Sequence, residues 1–339
     1  MGGVTTPLRI GVLGASRIAA AAVIEPARET GDRLVAVAAR DPERAAAYAR
    51  QHGFERVHAS YADLLADPEI EVVYNPLANA LHGPWNRAAV AAGKHVLSEK
   101  PFASTAAEAR DVLDAAATAG VTVLEGFHHV HHPVLRRLLA LVESGELGEL
   151  RHVDAEFTMP APPDDDPRWS LDLAGGALMD IGCYPLHVLR MLARQAGGEP
   201  EVVSATAVER AGRPGVDERV TAELALPGGA TGTARADMGA AEVSITCRVV
   251  GTRGEATAVN YVLPHRDDRV VVRVGGDERT EHLGTRSTYL FQLEAVRAHL
   301  HDGTPFPLAP DDPLRTAELI DAVYTAAGLP LRPAHAPVT

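Results

Sequence analysis

Asp180, Tyr184 and His187 fall at i, i+4 and i+7 in "GGALMDIGCYPLHVLRML", residues 175–192. That spacing puts a carboxylate, a phenol and an imidazole on one face if the segment is helical. Burying such a trio on an otherwise apolar helix is costly unless it is used. The plain alternative is a core tyrosine with its hydroxyl satisfied. A second chemical group stands in "SEKP", where Lys100 precedes Pro101 and is held on an extended segment. Tyrosine and lysine together suit carbonyl–alcohol interconversion. The phenol donates a proton to a forming alkoxide, and a nearby ammonium stabilises the phenolate. His187 would relay that proton or line the pocket.

Two further stretches are rich in hydrogen-bonding groups. "YNPLANALH", residues 74–82, offers Asn75, Asn79 and His82 to a cofactor or substrate, with an ordinary turn as the alternative. "GFHHVHHP", residues 126–133, raises the question of a metal, because His128 and His132 share a face in a helix. No Asp, Glu or Cys set with ligand spacing accompanies it. No metal is therefore expected; His128 and His129 are read as pocket-lining hydrogen-bonders and His132 as a hinge before Pro133.

These residues need a scaffold, and the first third of the chain supplies one by alternation. The strands "LRIGVL", "LVAVAA", "IEVVYN", "KHVLSE" and "VTVLE" are separated by helical stretches. One helix has Asp41 as N-cap, Pro42 at its first position and Gly53 as its stop. Another opens with a capping box of Thr105 and Glu108. Continuous apolar strands alternating with helices imply a parallel sheet covered on both faces. The first strand runs into "GASRIA", where the pattern G-x-G-x-x-G/A reads Gly14, Ser16, Ala19. Small residues there let backbone N–H groups approach a pyrophosphate at a helix N-terminus, so Gly14, Ala15, Ser16, Arg17 and Ile18 form the expected cradle. After the second strand comes "AARDPER". Arg40 is read as a contact for the 2′-phosphate of NADP, with NAD and a solvated surface arginine as the alternatives.

The second half reads differently. "RHVDAEFT", "VTAELAL", "EVSITCRVV" and "RVVVRV" alternate with period two between Gly and Pro turns, implying a mainly antiparallel sheet with one face on helices. Helices are expected over "PVLRRLLALVESG", around 176–194, and near 287–302 and 313–327. The fold class is thus α/β, with a parallel-sheet domain over 1–127 and a mainly antiparallel domain over 128–339. The last helix is expected to return to the first domain.

At 339 residues with a net charge of −13, the chain is long enough for two cores and too acidic for a nucleic-acid or anionic-membrane partner. Cys183 and Cys247 are far apart and read as buried thiols. The opening "MGGVTTPLRIGVLG" lacks a secretory layout, and a cytoplasmic location is expected.

The motifs "GASRIA", "YNPLANALHGPWNRAAVAAGKHVLSEKP", "EGF…HP" and "GGALMDIGCY" carry a resemblance along nearly the whole chain. It resembles the glucose-fructose oxidoreductase / inositol dehydrogenase family (Gfo/Idh/MocA). That resemblance implies a Rossmann domain for 1–127 and an α+β domain with a large open sheet for 128–339. It implies hydride transfer between NAD(P) and sugars, inositols or related cyclic alcohols and ketones. It implies Lys100 as the catalytic lysine and Asp180 as the carboxylate holding substrate and cofactor. Tyr184 stands at the acid–base position, as in the branch of glucose-fructose oxidoreductase, xylose dehydrogenases, dihydrodiol dehydrogenase and sugar 3-ketoreductases. Arg168 matches an arginine near the active site, and Pro76, Leu77, Asn79, His82, Glu99 and Lys100 fall on the cofactor side. Val130 departs from the family's usual Arg, and His128, His129 and His131 replace bulkier residues, which alters the expected pocket.

The expectation is an NADP-dependent oxidoreductase acting at a secondary alcohol or ketone of a sugar-like substrate, with His128, His129, Arg168 and His187 around it. A trans-dihydrodiol or aldose (xylose-type) dehydrogenase is the alternative, and a non-catalytic NADP-sensing regulator the alternative of another class. A homodimer or homotetramer through the C-terminal sheet is the expected assembly.

Overall fold

Six short segments pair in parallel as one sheet in the computed structural model, which describes residues 6–335. They are β1 (Arg9–Leu13), β2 (Arg33–Ala38), β3 (Arg56–His58), β4 (Val72–Asn75), β5 (His95–Ser98) and β6 (Val123–Glu125). The strand order is β3-β2-β1-β4-β5-β6, so the winding reverses between β1 and β4. In such sheets ligands bind outside the carboxyl ends of the strands at that reversal. The first-domain residues read as cofactor contacts follow strand ends: the 14–18 turn β1, Arg40 β2, residues 76–82 β4, and residues 99–100 β5.

This sheet belongs to a first unit, residues 6–126 and 289–314 with 334–335 among those described. Ile10, Val12, Val72, Tyr74 and Leu97 fill one face with the 17–30 helical stretch; Val35, Val73, Ala89, Val90 and Val96 fill the other. Sequence patterning misses β3, a three-residue edge strand whose Val57 is exposed. The expected caps are present. Asp41 accepts from Glu43 N and Arg44 N, and Thr105 accepts from Glu108 N. The return half of the capping box is displaced by one residue, because the Glu108 carboxylate accepts from Ser104 N at 2.7 Å.

The second unit holds residues 127–288 and 315–333. Its strands are β7 (Leu150–Thr158), β8 (Glu201–Glu209), β9 (Asp217–Ala225), β10 (Thr231–Asp237), β11 (Cys247–Gly251), β12 (Gly254–Ala258), β13 (Arg269–Val274) and β14 (Asp277–His282). They lie in the order β14-β13-β12-β11-β7-β10-β9-β8, antiparallel except for β7 with β10. Val153, Ala155, Val220, Ala222, Leu224 and Val249 are buried. The alternate residues form charged cross-strand pairs such as Arg235–Asp154 and Arg219–Asp237, each 2.6 Å. The edge strands β8 and β14 show no clean apolar alternation because little of either is buried, which is why patterning passes over them.

The last helix, Asp312–Ala326, falls chiefly with the second unit; the preceding one, Thr288–Asp302, places Tyr289, Leu293 and Val296 in the first unit's core. Among the described residues no helix is long and apolar enough to cross a membrane. Cys183 and Cys247 are buried thiols that form no disulfide.

Candidate active site

In the first unit the turn after β1 is shaped by glycine. Gly14 has φ +85° and gives its N–H to Ala38 O at 2.7 Å, and a Cβ there would come within 3.0 Å of Leu77 Cδ2. A side chain would strain the backbone and fill the turn. Two side chains from the helix Pro42–His52 hold the turn open. Arg44 Nη2 donates to Ala15 O, and Tyr48 Oη donates to Ser16 O, both at 2.7 Å. Ser16 caps the following helix without a side-chain bond. Arg17 and Ile18 are exposed beside it, Ile18 as one of few exposed large apolar residues. Helix-start N–H groups beside small and basic residues fit a pyrophosphate. Arg40 is exposed just past β2, whereas the Asp41 carboxylate is occupied as the N-cap.

Below the ends of β4 and β5 lies a buried amide network. Asn75 Nδ2 donates to Asn86 Oδ1 at 2.8 Å, and Asn86 Nδ2 donates to Ser98 Oγ at 2.9 Å. His82 is tied into this layer. It is 1% exposed, with Nδ1 2.7 Å from Pro101 O and Nε2 2.9 Å from Leu77 O. The carbonyls favour the protonated ring, but burial outweighs them and lowers its pKa to about 4. Pro76 is buried, while Leu77 and Asn79 are half-buried. Tyr74 donates to Glu99 at 2.7 Å, and the next residue, Lys100, is half-buried at the sheet's edge. The Glu125 carboxylate accepts from Phe102 N at 2.9 Å, fixing the chain just after Pro101.

In the second unit the motif helix starts with a π turn, Leu178–Gly182, and continues as Cys183–Gln195. Asp180 sits in that turn and is ion-paired with Arg168 Nε at 2.9 Å. Tyr184 and His187, one turn apart, point into an aromatic layer. Tyr184 is 5% exposed and lies edge-on to Phe127 and His129. His187 is fully buried, stacked on Phe127 at 3.9 Å, with Nδ1 3.4 Å from His129 Nε2. His128 faces Tyr184, its Nε2 3.2 Å from the phenolic oxygen, while its Nδ1 lies 2.8 Å from Thr288 Oγ1.

The histidine run forms a 3₁₀ turn over His128–His131, so His128 and His132 do not share an α-helical face. His132 is the N-cap of the helix Pro133–Glu143, its Nδ1 accepting from Val134 N. Burial and its imidazole neighbours hold the His129 pKa well below the ordinary range, and burial lowers that of His131 to about 3. Among the described residues no group of three or more His, Cys, Asp or Glu is arranged for a metal ion.

The structure therefore brings together His128 with Tyr184, His129 with His187, and Arg168 with Asp180. Sequence reasoning missed Asn86, Arg44, Tyr48 and Thr288. Asn86 had a signal: it stands four residues after His82 on the same helix. Thr288 had none, being 160 residues from His128.

Comparison with known proteins extends these observations. Residues 8–127 match the family described as "Oxidoreductase family, NAD-binding Rossmann fold", and residues 135–257 match the "GFO/IDH/MocA C-terminal domain". The chain is 34% identical over 323 residues to D-xylose 1-dehydrogenase (NADP(+)) 2 of Haloferax volcanii, covering 94% of this chain and 97% of that one. It is 36% identical over 335 residues to a dTDP-3,4-didehydro-2,6-dideoxy-alpha-D-glucose 3-reductase of Streptomyces violaceoruber, covering 95% and 96%. A crystal structure of a 3-ketoreductase from Actinomadura kijaniata, in complex with NADP and TDP-benzene, superposes with a TM-score of 0.87 at 29% identity. That match covers 95% of this chain and 98% of the other.

Proposed function

Because the chain belongs to the Gfo/Idh/MocA family of oxidoreductases, we propose that it interconverts a secondary alcohol and a ketone on a sugar-like substrate with NADP(H). The observation that carries this reading is the Tyr184 phenol, nearly buried and hydrogen-bonded to an imidazole, one turn beyond an ion-paired Asp180. When bound, the nicotinamide supplies or accepts the hydride. Tyr184 exchanges the matching proton with the substrate oxygen. Lys100 orients that oxygen and favours the phenolate electrostatically. Asp180, with its charge balanced by Arg168, holds a neighbouring hydroxyl.

The cofactor assignment draws on the Gly14 turn and on the exposed Arg40, which suits a 2′-phosphate. NADP appears in the description of the xylose-dehydrogenase relative and in the superposed complex. Those relatives are enzymes, and nothing in the structure favours the non-catalytic sensor. The same reading includes dimers or tetramers through the eight-stranded sheet, where Val203 and Val208 of β8 are exposed. Light scattering tests that part.

The experiment is a panel of aldoses, a trans-dihydrodiol and a nucleoside-diphosphate ketosugar, each with NADP(H) and NAD(H), followed by nicotinamide absorbance. Turnover of a sugar with NADP(H) favoured over NAD(H) is expected. Binding of NADPH without turnover of any panel member contradicts the reading.

A further inference from the structure

Tyr184 is one member of a hydrogen-bonded row that runs Thr288, His128, Tyr184. Thr288 Oγ1 lies 2.8 Å from His128 Nδ1, and His128 Nε2 lies 3.2 Å from the phenolic oxygen. All three are buried: Thr288 is 0%, His128 1% and Tyr184 5% exposed. A neutral His128 with its proton on Nδ1 donates to the Thr288 oxygen and leaves Nε2 as an acceptor aimed at the phenol; with the proton on Nε2 the Thr288 hydroxyl donates to Nδ1 instead. The tautomer decides which way the Tyr184 hydroxyl points, and the arrangement with the proton on Nδ1 is the one that turns the phenol's O–H toward the ring.

We propose that His128, held by Thr288, is the positioning partner of Tyr184 and takes up its proton during turnover. The inference rests on the reading of Tyr184 as the acid–base group. In the oxidation direction the substrate C–H bond breaks and its electron pair leaves as hydride to oxidised NADP. The substrate O–H proton passes to the Tyr184 oxygen as the phenol's own proton passes to His128 Nε2. The Nδ1 proton stays on the ring, hydrogen-bonded to the Thr288 hydroxyl oxygen, and the imidazolium releases its extra proton after product leaves. Reduction runs the same transfers backwards. Within the second unit the titratable rings around His128 are Tyr184, with centroids 5.9 Å apart, and His129, at 6.2 Å. His129 in turn faces His187 at 5.2 Å. Burial and neighbouring imidazoles keep His129 neutral, so it adds no competing charge.

Two measurements on the full chain test this. The first needs no turnover: long-range ¹H–¹⁵N NMR of the histidine rings, with His128 assigned by its loss in His128→Gln. The expected result is a neutral His128 protonated on Nδ1, with an Nε2 resonance that shifts in Tyr184→Phe. A proton on Nε2, or no response to Tyr184→Phe, overturns the proposal.

The second is the pH–rate profile of oxidation with NADP⁺ and D-xylose, or whichever panel sugar reacts fastest. In His128→Gln, which can bond the phenol but cannot accept a proton, kcat falls at least about a hundredfold, the low end for a lost proton transfer. KM for NADP⁺ stays unchanged, and added imidazole or raised pH restores rate. Thr288→Val gives a smaller loss in the same direction and serves if His128→Gln folds poorly. Wild-type kcat and pH profile in both variants overturn the proposal even where Tyr184→Phe is inactive. Absence of turnover in the wild-type protein, with the NMR result as expected, overturns the functional reading and the proton transfer but leaves the pairing of His128 with Tyr184 standing.

Discussion

The Asp217 carboxylate accepts the backbone N–H of Leu178 at 2.6 Å, at the start of the helix that carries Asp180 and Tyr184. The same carboxylate is ion-paired with Arg332, fully buried with it, and accepts from Tyr324 at 3.0 Å. Arg332 also donates to Gly215 O at 2.8 Å and stacks over the Tyr324 ring at 4.0 Å. Removing one partner of a buried ion pair costs about 3–5 kcal/mol. Arg332→Met is therefore expected to lower the unfolding free energy read from urea denaturation by an amount in that range and to reduce kcat through the loosened helix start. A variant of unchanged stability and rate would show that the pair does not anchor the helix.

Acid should destabilise the protein through its buried histidines. Burial lowers the pKa of His82 to about 4 and of His131 to about 3, and that of His129 also falls well below its ordinary value. In the unfolded chain each titrates near ~6.5. Their contribution is complete above that pH and is lost as pH falls toward the folded-state values, because the unfolded chain binds protons that the native one does not. Denaturation midpoints between pH 7.5 and 5 should fall, and His131→Gln should flatten the slope. An equal slope in the variant would remove His131 from the account.

Gly14→Val should weaken NADP binding by at least about tenfold, or ~1.4 kcal/mol, because the backbone at φ +85° disfavours a side chain and Leu77 crowds the site. Titration calorimetry with the variant checks this. Affinity equal to wild type would place the pyrophosphate elsewhere.

Arg40→Ala separates the two cofactors. A lost charge-assisted bond to a 2′-phosphate is worth about 1.5–3 kcal/mol, so NADP affinity should fall about ten- to a hundredfold while NAD affinity holds. Equal losses for both would return Arg40 to the solvated surface.

What the sequence made legible follows physical locality. The strands β1, β2, β4 and β5 are buried on both faces, so their composition alone marks them, and the residues after them fall at the ligand-binding edge. Asp41 and Thr105 act over two or three residues and were readable as caps. β3, β8 and β14 were not, because edge strands bury too little to impose a pattern. The site divides in the same way. Lys100, Asp180 and Tyr184 stand in compact motifs. The partners that orient the second-unit helix do not: Thr288 is 160 residues from His128, and Arg332 is 115 from Asp217. The two backbone carbonyls that both nitrogens of His82 face were not legible either, since one lies 19 residues away at Pro101.

The central claim is that Tyr184 is the acid–base group, and Tyr184→Phe tests it most directly. Phenylalanine keeps the ring against Phe127, His129 and Phe157 and removes only the hydroxyl. Measured by nicotinamide absorbance with the best panel sugar, kcat should fall about 10²–10⁴-fold, with NADP affinity unchanged. Turnover at the wild-type rate in Tyr184→Phe would contradict the account.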